Sequence, residues 1–418
     1  MSALRPRRPA WSRPHDGDRH PQAALVSLVA VVLGFESSLY SAVTPVLPHY
    51  AHTLHASKTA LGLLSAAYPA GLIPGSLLGG WLASRAGVRR TTLAGLIFFG
   101  LAVAGFGFAG NLIALDGLRA AQGGFCGLIW GGALTWVIAA SAPERRGATI
   151  GGAIAAATFG TLIGPLLGTA AVAIGTRPVF SFLGAMAIVL AARTRRHRAP
   201  ARPAQDETAR RPLLVALRTA GLPLGTWLIT LEAMTIGATN VLIPLRLSRF
   251  GASGVAIGAT FVAAAALSSV LSPIVGRISD RRGARRLLVI GLGASAVLVS
   301  TLVLPRTAAV LAPLCVIALG GPLAAYMIPA VSMMTASAET AGIALVLVTT
   351  LGNLAYATGE TIGAPVAAAL SQATSDAVPL LGLAALILAT LWPVSRIRRD
   401  RQPSTTGSSV TSRATSAA

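Results

Sequence analysis

Apolar runs about as long as a bilayer is thick recur twelve times in this chain, separated by charged or Pro/Gly-rich breaks. They lie near residues 23–48, 58–83, 91–110, 112–140, 148–174, 178–192, 219–245, 254–276, 287–305, 309–336, 342–371 and 377–394. A spanning helix needs about 20 mostly apolar residues, because the hydrocarbon core is roughly 30 Å thick. Lipid offers no partner to a free backbone group, and continuous runs of this length satisfy their own backbone as helices. The expected fold is therefore an all-α membrane protein of twelve transmembrane helices. Only 11% of the residues are charged and the mean hydropathy is +0.70, which excludes a soluble domain of ordinary make-up. The sixth run is the shortest and the weakest of the set.

A net charge of +21 would suit a nucleic-acid partner, so the placement of the charges decides. With the N-terminus in the cytoplasm, all but six of the 34 Lys and Arg residues fall in cytoplasmic tails and loops; the exceptions are Lys58, Arg119, Arg177, Arg246, Arg249 and Arg306. This is the positive-inside pattern: both termini are expected in the cytoplasm of a bacterial inner membrane, with the bilayer and no nucleic acid as partner. The basic N-terminus followed by an apolar run resembles a secretory signal, but the run is too long and no small-residue cleavage site follows it. Cys126 and Cys315 lie in separate runs and are expected as buried free thiols. His49, His52 and His55 have no carboxylate or thiol close in sequence, so no metal site is expected, nor any cofactor.

The chain also repeats itself. Sliding it by 196 residues pairs Glu36 with Glu232, Pro48 with Pro244, Gly62 with Gly258 and Gly80 with Gly276. The arginine-rich stretch 193–212 is the one long polar segment between the tails, and it divides the runs six and six. The expected organisation is a tail over 1–22, a six-helix half over 23–192, a linker over 193–218, a second half over 219–394 and a tail over 395–418. Parallel repeats of this kind place a transport path between the halves.

Three short patterns sharpen this. "GWLASRAGVRR" from Gly80 and "GRISDRRGARR" from Gly276 are two copies of one loop, with Ser84, Arg85 and Gly87 opposite Asp280, Arg281 and Gly283. "RAAQG" carries Arg119, Gln122 and Gly123 inside the fourth run, and "GTLIGPLLG" carries Gly160, Gly164, Pro165 and Gly168 in the fifth. With this repeat, these patterns resemble the major facilitator superfamily over nearly the whole chain, most nearly its twelve-helix drug:proton antiporters. The resemblance implies two pseudo-symmetric six-helix halves and gating roles for the loop residues. Ser84 stands where the family has Asp, so a charged latch in the first half should be weaker, although a serine can still cap a helix as a neutral acceptor. The four-residue glycine spacing and Pro165 suit a packed, bendable hinge between halves.

Arg119 inside a membrane helix needs an acceptor. At 1.5 Å per residue, Glu36 and Arg119 both lie roughly 20 Å from the inner face, so Glu36 is its expected partner and Asp116, one turn away, the rival. Alternate exposure of a carboxyl to water and to a guanidinium changes which protonation state is favoured, so Glu36 and Glu232 are expected to couple protons under the control of Arg119. Tyr40, Asn240, Trp130 and Glu360 are expected to line the substrate cavity. The expected function is proton-coupled export of small amphipathic or cationic compounds by a monomer. A proton-coupled importer of a small nutrient, or a sugar or metabolite exporter, would share the fold. No P-loop, H-E-x-x-H or G-x-S-x-G pattern is present, so an enzyme is not expected.

Overall fold

The computed structural model describes residues 19–141, 146–197, 221–282, 284–341, 343 and 345–395. Most of both expected tails, most of the linker, and Gly283 lie outside these described residues. Fourteen α-helices occur among them: α1 (Arg19–Ser41), α2 (Leu47–Thr53), α3 (Lys58–Ala86), α4 (Val88–Phe108), α5 (Leu112–Ala140), α6 (Arg146–Ile174), α7 (Thr176–Arg195), α8 (Leu222–Arg249), α9 (Gly254–Arg282), α10 (Ala284–Thr301), α11 (Ala308–Gly320), α12 (Pro322–Thr340), α13 (Leu345–Ala373) and α14 (Ala377–Ser395). They make twelve segments, since α1 with α2 and α11 with α12 are broken halves of single spans. On the described residues, ten segments are long and apolar enough to cross a membrane.

Both breaks have local causes. The first span turns at a 3-10 element, Thr44–Val46, where Pro45 and Pro48 open short helices at positions whose N–H would be unpaired anyway. The tenth span breaks at Gly321, and Pro322 restarts it as the first residue of α12. Between α3 and α4 the chain reverses on the single residue Gly87, whose φ of 90° is a conformation that favours glycine. Ile113, Ile174, Leu304 and Trp392 lie on the outer surface, an apolar face suited to acyl chains.

The repeat is visible in the packing. Gly160 of α6 lies against Gly34 of α1, and Gly359 of α13 lies against Thr230 of α8, the counterpart of Gly34. Gly164 likewise meets Ser38 and Ser41, while Gly363 meets Met234, the counterpart of Ser38. The fifth-span glycines therefore seat α6 on α1 within one half, while Pro165 of the same motif lies against Gly258 of the other half. The small-residue spacing fixes close approach, not the identity of the partner.

The halves meet along two related seams. Gly62 of α3 packs on Ala364, Pro365 and Ala368 of α13, and its counterpart Gly258 of α9 packs on Pro165 and Thr169 of α6. A Cβ on Gly62 would stand 2.6 Å from the Ala368 methyl, and one on Gly258 would stand 2.0 Å from the Thr169 hydroxyl. Only glycine permits this separation. About 27 Å farther along the same helices, at the terminus-bearing end, a Cβ on Gly80 or Gly276 would meet nothing within 4 Å. Glycine thus permits tight closure between the halves at the Lys58 end of the bundle.

Candidate functional site

The break in the first span creates a polar centre. Because α1 stops at Ser41, carbonyls of its last turn lack helical partners. Arg119 of α5 caps them, donating from Nη1 to Leu39 O at 3.2 Å and from Nη2 to Tyr40 O at 2.5 Å. Its Nη1 also reaches Gln122 Oε1 at 2.9 Å, and Gln122 in turn donates to Ala102 O at 3.2 Å. A cation at a helix C-terminus is favoured by the helix dipole as well as by these bonds.

Glu36, on the preceding turn of α1, is buried and well enclosed. Tyr68 of α3 donates its hydroxyl to Oε1, Trp130 Nε1 donates to Oε2 at 2.9 Å, and Ser37 adds a 3.3 Å contact. The expected Glu36–Arg119 ion pair does not form, and neither does the rival pair with Asp116. What lies between Glu36 and Arg119 is Tyr68. Its hydroxyl holds the acid while its ring takes the guanidinium face, with Arg119 Cζ 4.5 Å from the centroid. Asp116 Oδ1 is buried without a partner among the described residues.

From Tyr68 the cluster crosses into the other half. The Tyr40 ring sits 5.3 Å from the Tyr68 ring, and the Tyr40 hydroxyl donates to Glu360 of α13. Glu232 of α8 is buried nearby, with Glu360, Tyr356 and Tyr326 as its polar neighbours. Its Oε2 has no hydrogen-bond partner among the described residues. Asn240, two turns along α8, is half-buried. The expected residues Glu36, Glu232, Arg119, Tyr40, Trp130 and Glu360 are thus brought to one inter-half centre.

Sequence reasoning passed over Tyr68, Tyr326 and Tyr356. A signal was present: the chain has only 5 tyrosines, and the four that fall within apolar runs surround the acids. A buried phenol seeks an acceptor, so a rare tyrosine in a membrane span marks a polar contact.

The loop residues lie apart from this centre. Ser84 does not cap a helix; its hydroxyl donates back to Trp81 O at 2.8 Å, because α3 runs on to Ala86 and Ser84 is still inside it. Arg85 stacks over Trp81 with Cζ 4.8 Å from the ring. Arg281 is exposed, and the Asp280 side chain lies outside what the structure describes, as does Gly283. Gly123 lets α5 touch the α3 backbone at Tyr68 O and Leu72 N. His49, His52 and His55 sit on α2 and just after it, with the His49 ring 5.6 Å from that of Tyr50.

The closed end carries an ionic cluster that spans the halves. Lys58 at the start of α3 reaches Asp376 Oδ1 at 2.6 Å and Ser371 Oγ at 2.7 Å, while Gln372 accepts from Thr59 N at 3.0 Å and Thr59 Oγ1 at 2.9 Å. Arg249 bonds to Asp376 Oδ2, and Arg246 Nε stands 3.7 Å from the same oxygen. Burial pushes the Asp376 carboxyl up, but hydrogen bonds from Lys58 and Ser371 and the charges of Arg249 and Lys58 outweigh it and hold the group below its usual range. Arg246 repeats the capping device of Arg119, donating to Leu302 O at 2.6 Å and Pro305 O at 3.0 Å just beyond α10.

Comparison with known proteins follows the same lines. The family profile described as Major Facilitator Superfamily matches residues 26–360. The chain is 37% identical over 93 residues to the MFS-type transporter ppzB of Metarhizium rileyi, a match covering 22% of this chain and only 19% of that relative. It is 29% identical over 279 residues to a multi-drug resistance efflux pump PmrA homolog of Lactococcus lactis subsp. lactis, covering 62% of this chain and 67% of the relative. A bacterial homolog of the human lysosomal transporter Spinster, solved in an inward-facing and occupied conformation, superposes with a TM-score of 0.74 at 15% identity over 92% of this chain and 96% of that one. Twelve spans, a 196-residue internal repeat, paired inter-half seams and a profile match over most of the length converge: the chain belongs to the Major Facilitator Superfamily.

Proposed function

We propose that this chain exports small amphipathic or cationic compounds in exchange for protons, by alternating access at the seam between its halves. The observation that carries this reading is Glu232, a buried carboxylate with one oxygen unpartnered beside a second acid, Glu360. An unsatisfied buried carboxylate is costly unless a proton or a cationic group meets it. Arg119 does not fill that role, since α1 carbonyls and Gln122 occupy its terminal donors. Three acids around one committed cation leave room for positive cargo.

The rest of the site supports a two-state cycle. Protonation or cation binding at Glu232 and Glu360 competes with the Tyr40 hydroxyl for Glu360, and Tyr40 lies in the other half. Loss of that bond loosens the halves at the centre. Tyr68 and Arg119 position Glu36 and Tyr40 for this exchange. Opening the closed end then requires parting the Gly62 and Gly258 seams and the Lys58–Asp376 pair, while the Gly80 and Gly276 ends converge. The terminus-bearing end would face the cytoplasm of a bacterial inner membrane. The Lactococcus relative, named as an efflux pump homolog, supports the outward direction.

In proteoliposomes, a cationic dye should evoke counter-movement of protons in the wild type, and Glu232→Gln should abolish it while leaving the protein folded. Unchanged proton movement in that variant would remove Glu232 from the mechanism. In intact cells, an uncoupler should raise accumulation of the dye; a fall would mark an importer.

A further inference from the structure

Outside the central site, α1 and α7 border a groove of about 420 Å³ at the terminus-bearing end. One wall is Ala24, Ser27, Leu28 and Val31, spaced so that they share one face of α1. The other is Leu190 of α7, followed by Arg193, Arg196 and His197. Arg193 lies in the last turn of α7, and Arg196 and His197 follow directly beyond its end at Arg195. Arg193 and Arg196 are exposed, and no described residue gives any of the three side chains a hydrogen bond or ion pair.

The groove is graded along the membrane normal. Phe182 and Val189 of α7 and Val31 of α1 are 63%, 50% and 55% exposed, which marks the adjacent surface as lipid-facing. Arg193 lies one turn beyond Val189, about 6 Å along the axis, where hydrocarbon gives way to headgroups. An occupant must therefore be apolar toward the bilayer centre and anionic at the membrane surface. Guanidinium pairs bind phosphate oxygens through directed forks, and Ser27 adds a hydroxyl on the facing helix. We propose that this groove is a binding site for an anionic phospholipid, with its phosphate on Arg193, Arg196 and His197 and the start of an acyl chain along Leu28, Val31 and Leu190. The charge complementarity favours a diacyl lipid over free phosphate because the apolar wall continues into the bilayer. The site is independent of the transport reading, since none of its residues touches the central cluster.

The test is thermal unfolding of the full-length protein in detergent micelles supplemented with phosphatidylglycerol, with phosphatidylcholine of matched chains, or with inorganic phosphate. Phosphatidylglycerol should raise the midpoint above the other two additions. Arg193→Gln with Arg196→Gln should lose that increment and keep the phosphatidylcholine midpoint, whereas Arg89→Gln with Arg90→Gln, basic residues at the same end of the molecule, should retain it. An equal increment in the groove variant, no increment in the wild type, or an equal rise with inorganic phosphate would each overturn the lipid site. Should the double variant fail to fold, Ser27→Trp blocks the groove from α1 and must also lose the increment.

Discussion

Glu36 and Glu232 occupy one position of a duplicated unit, yet their surroundings have diverged. Glu36 accepts from Tyr68, Trp130 and Ser37, while Glu232 keeps an oxygen with no donor among the described residues. In the 196-residue register, Ala264 stands opposite Tyr68, Tyr326 opposite Trp130, Ala233 opposite Ser37 and Cys315 opposite Arg119. The backbone frame was kept, but of the donors only the Tyr326 phenol remains, and its hydroxyl makes no hydrogen bond among the described residues. Under the proposed exchange, Glu36 serves as part of the scaffold and Glu232 is the acid that takes a proton or a cation. A repeat therefore predicts where a group sits, while its neighbours decide what it can do.

The strongest way to break this contrast is to neutralise each acid in turn. Glu232→Gln should reduce substrate-evoked proton flux at least about tenfold, the scale of losing one essential proton-transfer group. Glu36→Gln should retain a larger share of that flux, because the amide oxygen can still accept from Trp130 Nε1 while its NH2 donates to the Tyr68 hydroxyl. Equal losses in proteoliposomes would erase the distinction. Next in size, Tyr68→Phe removes one donor from a buried carboxylate and should cost roughly 1–3 kcal/mol of stability, read as a lowered unfolding midpoint in detergent. Ala264→Ser, at the matching buried position of the other half, removes no hydrogen bond and should change it little.

A subtler test uses pH at the closed end. The Asp376 carboxyl is depressed in the folded protein, so its contribution is complete above the unfolded carboxylate range near about 4 and fades as pH falls through the lower folded value. The Lys58–Asp376 link should hold unchanged from neutral to mildly acidic conditions and weaken only in strong acid. Spin-label distances between positions 59 and 372 would report it, and Asp376→Asn should remove the acid-dependent step. Because Arg249 is 56% exposed on its side chain, its pairing should contribute least, at most about 1 kcal/mol, so Arg249→Gln is the smallest effect expected.

The twelve spans, the repeat and the identity of the buried acids could be read from the sequence, because apolar length and repeated Gly, Pro and charge leave few alternatives. The partners of those residues could not. Arg119 was expected to meet Glu36 on grounds of depth, but Pro45 and Pro48 interrupt the first span and present bare carbonyls that compete for the same guanidinium. The fifth-span glycines announced close helix contact without saying that α1, rather than the opposite half, would supply it. Ser84 looked like a cap only while the end of its helix was unknown. Long-range pairing depends on where helices stop, and that is the least local of these properties.

The two glycine seams have a mechanical corollary. Gly62 against Ala368 and Gly258 against Thr169 stand on opposite sides of the pseudo-twofold axis, at related points of the two halves. Like paired pins on a rocker, they force a swing of the halves to disturb both together. A bulky side chain wedged into either one should tip the resting balance of the entire molecule rather than loosen a single corner.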